Sequence, residues 1–157
     1  MNIRIIGALI LGLVVIGGLG YLLAFWEGPK PEQEQDVTTV KLYYYNAEND
    51  KDAEGNIQCS RQGLVSVERE VSQNETVIED TIRLLLREEL AAELPGVTLE
   101  SAILENGVLT LEFADPQNKT VGGSCRVGIL WFQIEATAKQ FEGVEQVRFL
   151  PEELFQP

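Results

Sequence analysis

Apolar residues along the chain fall into one long unbroken run and then a series of short periodic segments. Ile5 to Trp26 is apolar throughout, 22 residues that would span about 33 Å as a helix, enough to cross a bilayer. Beyond it, Val40 to Tyr45 alternates Val40, Leu42 and Tyr44 against Lys41, Tyr43 and Tyr45, the period of a strand. Leu64 to Val71 alternates in the same way, with Val65, Val67 and Val71 set against Ser66, Glu68 and Glu70. From Ser72 the period lengthens. Ser72-Gln73-Asn74-Glu75 matches a capping box, and Ile78, Ile82, Leu85 and Leu86 share one face of a helix expected to reach Glu93. Pro95-Gly96 stops it. Two further strands, Val97 to Leu104 and Val108 to Phe113, flank Asn106-Gly107, the dipeptide favoured in two-residue hairpin turns.

The last unit is Gly122 to Leu150. Gly122-Gly123 gives a tight approach, Ser124 is positioned to cap, and Val127, Leu130, Trp131, Ile134, Ala138 and Phe141 occupy one helical sector. Gly143 suits a left-handed cap, and Val144, Val147 and Phe149 supply a returning strand. The order β-β-α-β-β-α-β predicts an α+β domain: a mixed β-sheet with two helices packed on one face, preceded by one transmembrane helix.

Charge places these segments. Residues 1–36 hold two basic and four acidic residues, so −11 of the net −13 belongs to the 121 residues beyond them. Arg4 stands before the apolar run and acids follow it, which by the positive-inside bias puts the N-terminus in the cytoplasm and the domain outside. YLLAFWEG at the end of the run offers no small-residue cleavage site, so an uncleaved anchor is expected over a removed signal peptide. The expected organisation is an anchor over residues 1–26 (helix 5–26), a Pro/Glu/Gln-rich stalk over 27–37, a domain over 38–150 and a tail over 151–157. So acidic a surface repels phosphate backbones and argues against nucleic-acid binding. The chain has no histidine, which removes the commonest general base and the commonest transition-metal ligand.

Several stretches resemble a known family when taken in order. LYYYN (42–46), LVSVEREV (64–71), TIRLLL (81–86), GVLTLEF (107–113) and GGSCRV…QIEATAKQF…VRFL (122–150) together resemble the GerMN domain of sporulation and spore-germination proteins. The resemblance implies an extracytoplasmic location and no catalytic residues to carry over. It also implies a fold similar to ring-building modules of spore-envelope machinery, hence scaffolding rather than turnover. The connection REELAAELPGV (87–97) is shorter than relatives often carry, and the chain ends in PEELFQP.

Candidate chemistry is sparse. Asp50, Asp52 and Glu54 followed by Gly55 and Ile57 resemble the first eight positions of a calcium loop, but Arg61 stands where a bidentate Glu is required and strands flank the loop. Gly122-Gly123-Ser124-Cys125 at a helix start could face an anion, with Arg126 the only nearby cation. Ser124 has no histidine to activate it, and no carboxylate pair stands out, so no enzyme activity is expected. No metal or cofactor residues are assigned. In an oxidising compartment Cys59 and Cys125 are expected to form a disulfide; the alternative is two unpaired thiols. Ile129 and Phe132, with Ala136, lie well off the inner sector of the last helix and form the candidate interaction row. Either a neighbouring copy or another envelope protein covers them, or the 46–61 loop and Leu154-Phe155 do. The function expected is a membrane-anchored, non-enzymatic scaffold or protein-interaction module of the cell envelope. The alternative is a binding domain for a small ligand or ion, calcium or an envelope polymer fragment.

Overall fold

The computed structural model describes residues 36–156. The expected membrane helix over 5–26, and all but the end of the expected stalk, lie outside them. Among the described residues no helix is long and apolar enough to cross a membrane. The domain itself is α+β, in the order β1 (Val37–Tyr45), β2 (Leu64–Ser72), α1 (Val77–Glu88), β3 (Thr98–Glu105), β4 (Val108–Ala114), α2 (Ser124–Ala138) and β5 (Gln146–Leu150). All seven predicted elements are present. Their assembly is not the expected single sheet with both helices on one face. There are two sheets: an antiparallel pair β1-β2, and a mixed sheet β3-β4-β5 in which β3 and β4 are antiparallel and β4 and β5 parallel.

The physical reason lies on α2. The free edge of β1 is met by side chains rather than by a strand: Gln140 Oε1 accepts from Lys41 N at 2.7 Å, Thr137 Oγ1 from Tyr43 N at 3.0 Å, and Gln133 Oε1 from Tyr45 N at 2.9 Å. Gln140 also donates to the Lys41 carbonyl at 2.7 Å. Gln133 and Thr137 on the helix and Gln140 just past its end follow one another at about the spacing of every second strand residue, so together they satisfy three outward amides. The edge is thereby closed to further strands. Gln133 and Thr137 are buried, as polar groups can be when fully bonded.

The remaining inner surface of α2 is the predicted one. Val127, Leu130, Ile134 and Ala138 are buried, and Trp131 and Phe141 pack against the same core. From α1 come Ile82, Leu85 and Leu86, with Ile78 at the margin; from β4 come Leu109, Leu111 and Phe113. Both sheets and both helices share this one core. Three local expectations are corrected. Ser72 ends β2, paired with Val37, so it caps nothing; Asn74 Oδ1 instead accepts from Thr76 N at 2.9 Å just before α1. Helix α1 ends at Glu88, not Glu93, because the Leu90 amide turns back to the Leu85 carbonyl. Helix α2 takes Gly123 as its N-cap residue, with Ser124 already inside the first turn. At the predicted hairpin, Asn106 and Gly107 have φ of 50° and 82°, the left-handed pair that a two-residue turn of the mirror-image type demands.

Candidate functional site

The sequence-singled residues converge on the loop between β1 and β2 and the N-terminal half of α2. Two short 3-10 turns, Ala47–Asp50 and Arg61–Gly63, fold the loop back on itself. Asp50 organises it from inside: 2% exposed, it accepts from the Tyr45 hydroxyl, the Ser60 hydroxyl and, at 2.6 Å, the Ser60 amide. Gly63 is required because a Cβ there would lie 2.2 Å from the Tyr45 ring. This network delivers Cys59, in left-handed backbone at φ 52°, to Cys125 in the first turn of α2. The two form the expected disulfide, with Cα atoms 5.3 Å apart.

Ile129 and Phe132 lie on the same stretch of helix and are half-buried. Part of the cover is intramolecular. The Arg61 guanidinium sits 4.3 Å from the centre of the Phe132 ring and pairs with Glu135. Phe155, in the predicted tail, is completely buried, with its ring centre 5.6 Å from Phe113 and 5.2 Å from Phe149. The tail is therefore part of the core, and the apolar pair Leu154-Phe155 was its signal. Cover is incomplete. A groove of about 690 Å³ runs between the disulfide, Gly128, Trp131, Phe132 and Phe155. On the other flank of the helix a second groove, about 450 Å³, is lined by Tyr45, Cys125, Ile129 and Leu130 among others.

The calcium-like spacing resolves into a turn closed by its own hydrogen bonds. Asp50 faces inward as described. Asp52 accepts from the amides of Glu54 at 3.0 Å and Asn56 at 2.7 Å and from the Gln58 side chain at 2.9 Å, while Glu54 is exposed. Among the described residues no group of three or more metal-ligating side chains converges. At the start of α2, Arg126 is spent on backbone carbonyls, donating to Lys119 and Glu93 at 2.8 and 2.7 Å. It ties the loop before the helix to the segment after α1. Sequence reasoning missed Asp115, which caps that same loop by accepting from Lys119 N, Thr120 N and Thr120 Oγ1, each at 2.8 Å. Its signal was an acid, then a turn, then a buried Thr120.

The carboxyls of these groups are all shifted in one direction. Burial works to raise the Asp50 carboxyl and is the largest single influence, yet the hydrogen bonds from Ser60 and Tyr45 together hold it below the ordinary range. Asp115 follows the same pattern, with Thr120 and Lys119 as donors, and so does Glu135, with Lys139 and Arg61. Asp52 is lowered chiefly by the Asn56 amide and side chain. Burial, the hydrogen bond to Asp50 and the charge of Asp50 push the Tyr45 phenol up to about 12.

The fold and this site define a disulfide-bridged α+β domain whose buried polar groups tie loops together. The family model Germane, described as sporulation and spore germination, matches residues 41–153. That is well over half of the chain, which therefore belongs to the Germane family. No curated protein and no solved structure matches the chain.

Proposed function

We propose that this chain works outside the cytoplasm, without turnover, as a protein-contact module in a sporulation or germination assembly. The family supplies the biological setting. The Cys59–Cys125 bridge supports an oxidising compartment, since such bonds persist there and are rare in the cytosol. The observation that supports the non-catalytic reading is that the carboxylates of the site are already bonded to the domain's own amides, hydroxyls and cations. Asp50, Asp52, Asp115 and Glu135 are all held low and all committed to loop amides, hydroxyls or cations. A general acid working near neutrality needs the opposite displacement. The apolar grooves beside Phe132 and Ile129 support contact with a protein rather than with a charged small molecule.

Deletion in the native host tests the setting, and crosslinking of the full-length chain during sporulation and germination tests the mode of action. The expected result is a sporulation or germination defect, restored by the wild-type chain, together with discrete protein adducts. A deletion strain that sporulates and germinates like its parent, with no adduct formed, would overturn the reading. Protease added to intact spheroplasts should digest residues 37–157; complete protection would refute the location.

A further inference from the structure

The two sheets expose four strand edges; one is closed and two are poorly suited to pairing. The β1 edge is taken up by Gln133, Thr137 and Gln140. The outer edge of β2 carries Glu68-Arg69-Glu70, a run of charges that discourages pairing. Strand β5 is five residues long and is followed at once by Pro151, with Arg148 paired to Glu152 across its end. At the start of β3, Arg83 of α1 donates to the Leu99 carbonyl at 3.2 Å. The rest of β3 is different. Ala102-Ile103-Leu104 carries no charge and no proline, and Ile103 and Leu104 are 52% and 38% exposed.

The register shows which backbone groups are free there. Glu105 and Val108 flank the two-residue turn and exchange hydrogen bonds, and Ile103 opposite Thr110 repeats the arrangement. The N–H and C=O of Ala102 and Leu104 therefore point away from β4, and among the described residues no backbone bond from either amide to a loop or turn is made. Side chains alternate correspondingly. Leu104 lies on the core face, within reach of Gly143, while Ile103 and Glu105 lie on the open face. Residues 98–114 contain Glu100, Glu105 and Glu112 and no basic residue, and the Glu145 carboxyl stands beside the turn at Gly107.

We propose that the outer edge of β3 from Ser101 to Glu105 takes up an extended segment of a partner protein as an added strand. Backbone groups of Ala102 and Leu104 supply the hydrogen bonds, and the segment alternates apolar with basic residues. Its apolar side chains meet Leu104, and its basic ones run over Ile103, whose surface their methylene stems cover, to reach Glu105 and Glu112. Charge complementarity selects this occupant over a second copy of the chain. Pairing two such edges would set glutamates against glutamates on domains that each carry −11. The proposal rests on the protein-contact reading and names its surface.

The test is fluorescence anisotropy of the full-length chain with a labelled eight-residue peptide, Lys-Val repeated four times. A second peptide of the same sequence is N-methylated at every internal residue. Methylation removes strand pairing along both edges and leaves the charge unchanged. The expected result is saturable binding that weakens about tenfold or more on methylation, with Ile103→Lys weakening it as much. Gln146→Lys, which adds the same charge two strands away, should cost less than about threefold. Bound peptide should slow hydrogen exchange in the segment holding Ala102 and Leu104. Equal binding of both peptides would reduce the effect to general attraction and overturn the proposal, as would no binding at all. A dimer of the chain that Ile103→Lys breaks and the peptide does not displace would overturn it in favour of a second copy. If the peptide fails while host crosslinks persist, the protein-contact reading stands and this edge alone is excluded; crosslinks absent with peptide bound is the converse.

Discussion

Reducing the Cys59–Cys125 bridge frees two positions separated by 66 residues. For a closed loop of that length the chain-entropy relation gives about 4 kcal/mol, against a total stability of about 5–15 kcal/mol for an ordinary domain. The native state has other ties on the same loop: Asp50 to Tyr45 and Ser60, and Arg61 to Glu135. The reduced domain should therefore keep its fold, with most of the loss arising from the greater freedom of the unfolded chain. Urea denaturation of residues 37–157, followed by near-UV circular dichroism with and without reductant, measures it. The transition midpoint should fall and the slope should steepen, since an unbridged unfolded chain exposes more surface. Cys59→Ser with Cys125→Ser should match the reduced protein. A loss below about 1 kcal/mol would refute the entropic reasoning. Collapse of the near-UV signal before any urea is added would show that the bridge holds the native packing itself.

Three further expectations bear on the same residues. Thr137→Val keeps shape but leaves the Tyr43 amide unpaired at the β1 edge, so it should cost about 1–3 kcal/mol in denaturant, whereas no measurable loss would mean that water replaces the hydroxyl. Phe155→Ala should cost about 3–5 kcal/mol despite lying two residues from Pro157, and a near-neutral effect would contradict its place in the core. The pH profile has two arms. Asp50, Asp52, Asp115 and Glu135 have lowered folded pKa values, so the stability they contribute is present above the ordinary carboxyl range and is lost as pH falls through their folded values. Tyr45 has a raised one, so its contribution is present below about pH 10 and is lost as pH climbs toward about 12. An ultraviolet phenolate titration should show a late component that Tyr45→Phe removes; a titration curve whose late end is unchanged by Tyr45→Phe would refute the assignment.

The sequence by itself determined the elements. Alternation in 40–45 and 64–71, helical spacing at 78, 82, 85 and 86, and the Asn106-Gly107 turn each follow from short-range sterics and from burying one side of a segment. Two cysteines in a chain with no other thiol left one intramolecular pairing, and the family was legible from the order of the segments. Sheet partners were beyond that reach, because strand pairing joins residues far apart in sequence and either edge of β1 satisfies the same local pattern. Only the tertiary structure decided that Gln133, Thr137 and Gln140 would take the place of a neighbouring strand, since their bonds to β1 span 88 to 99 positions. The fate of Asp50 was decided in the same way. Its spacing to Asp52 and Glu54 fits an ion loop, but the burial that turns it toward Tyr45 and Ser60 exists only once the loop has closed. Phe155 shows the converse limit: the sequence offered Leu154-Phe155 as cover for the last helix, but the aromatic cluster that Phe155 joins is built from β4, β5 and the segment after it and exists only in the assembled fold.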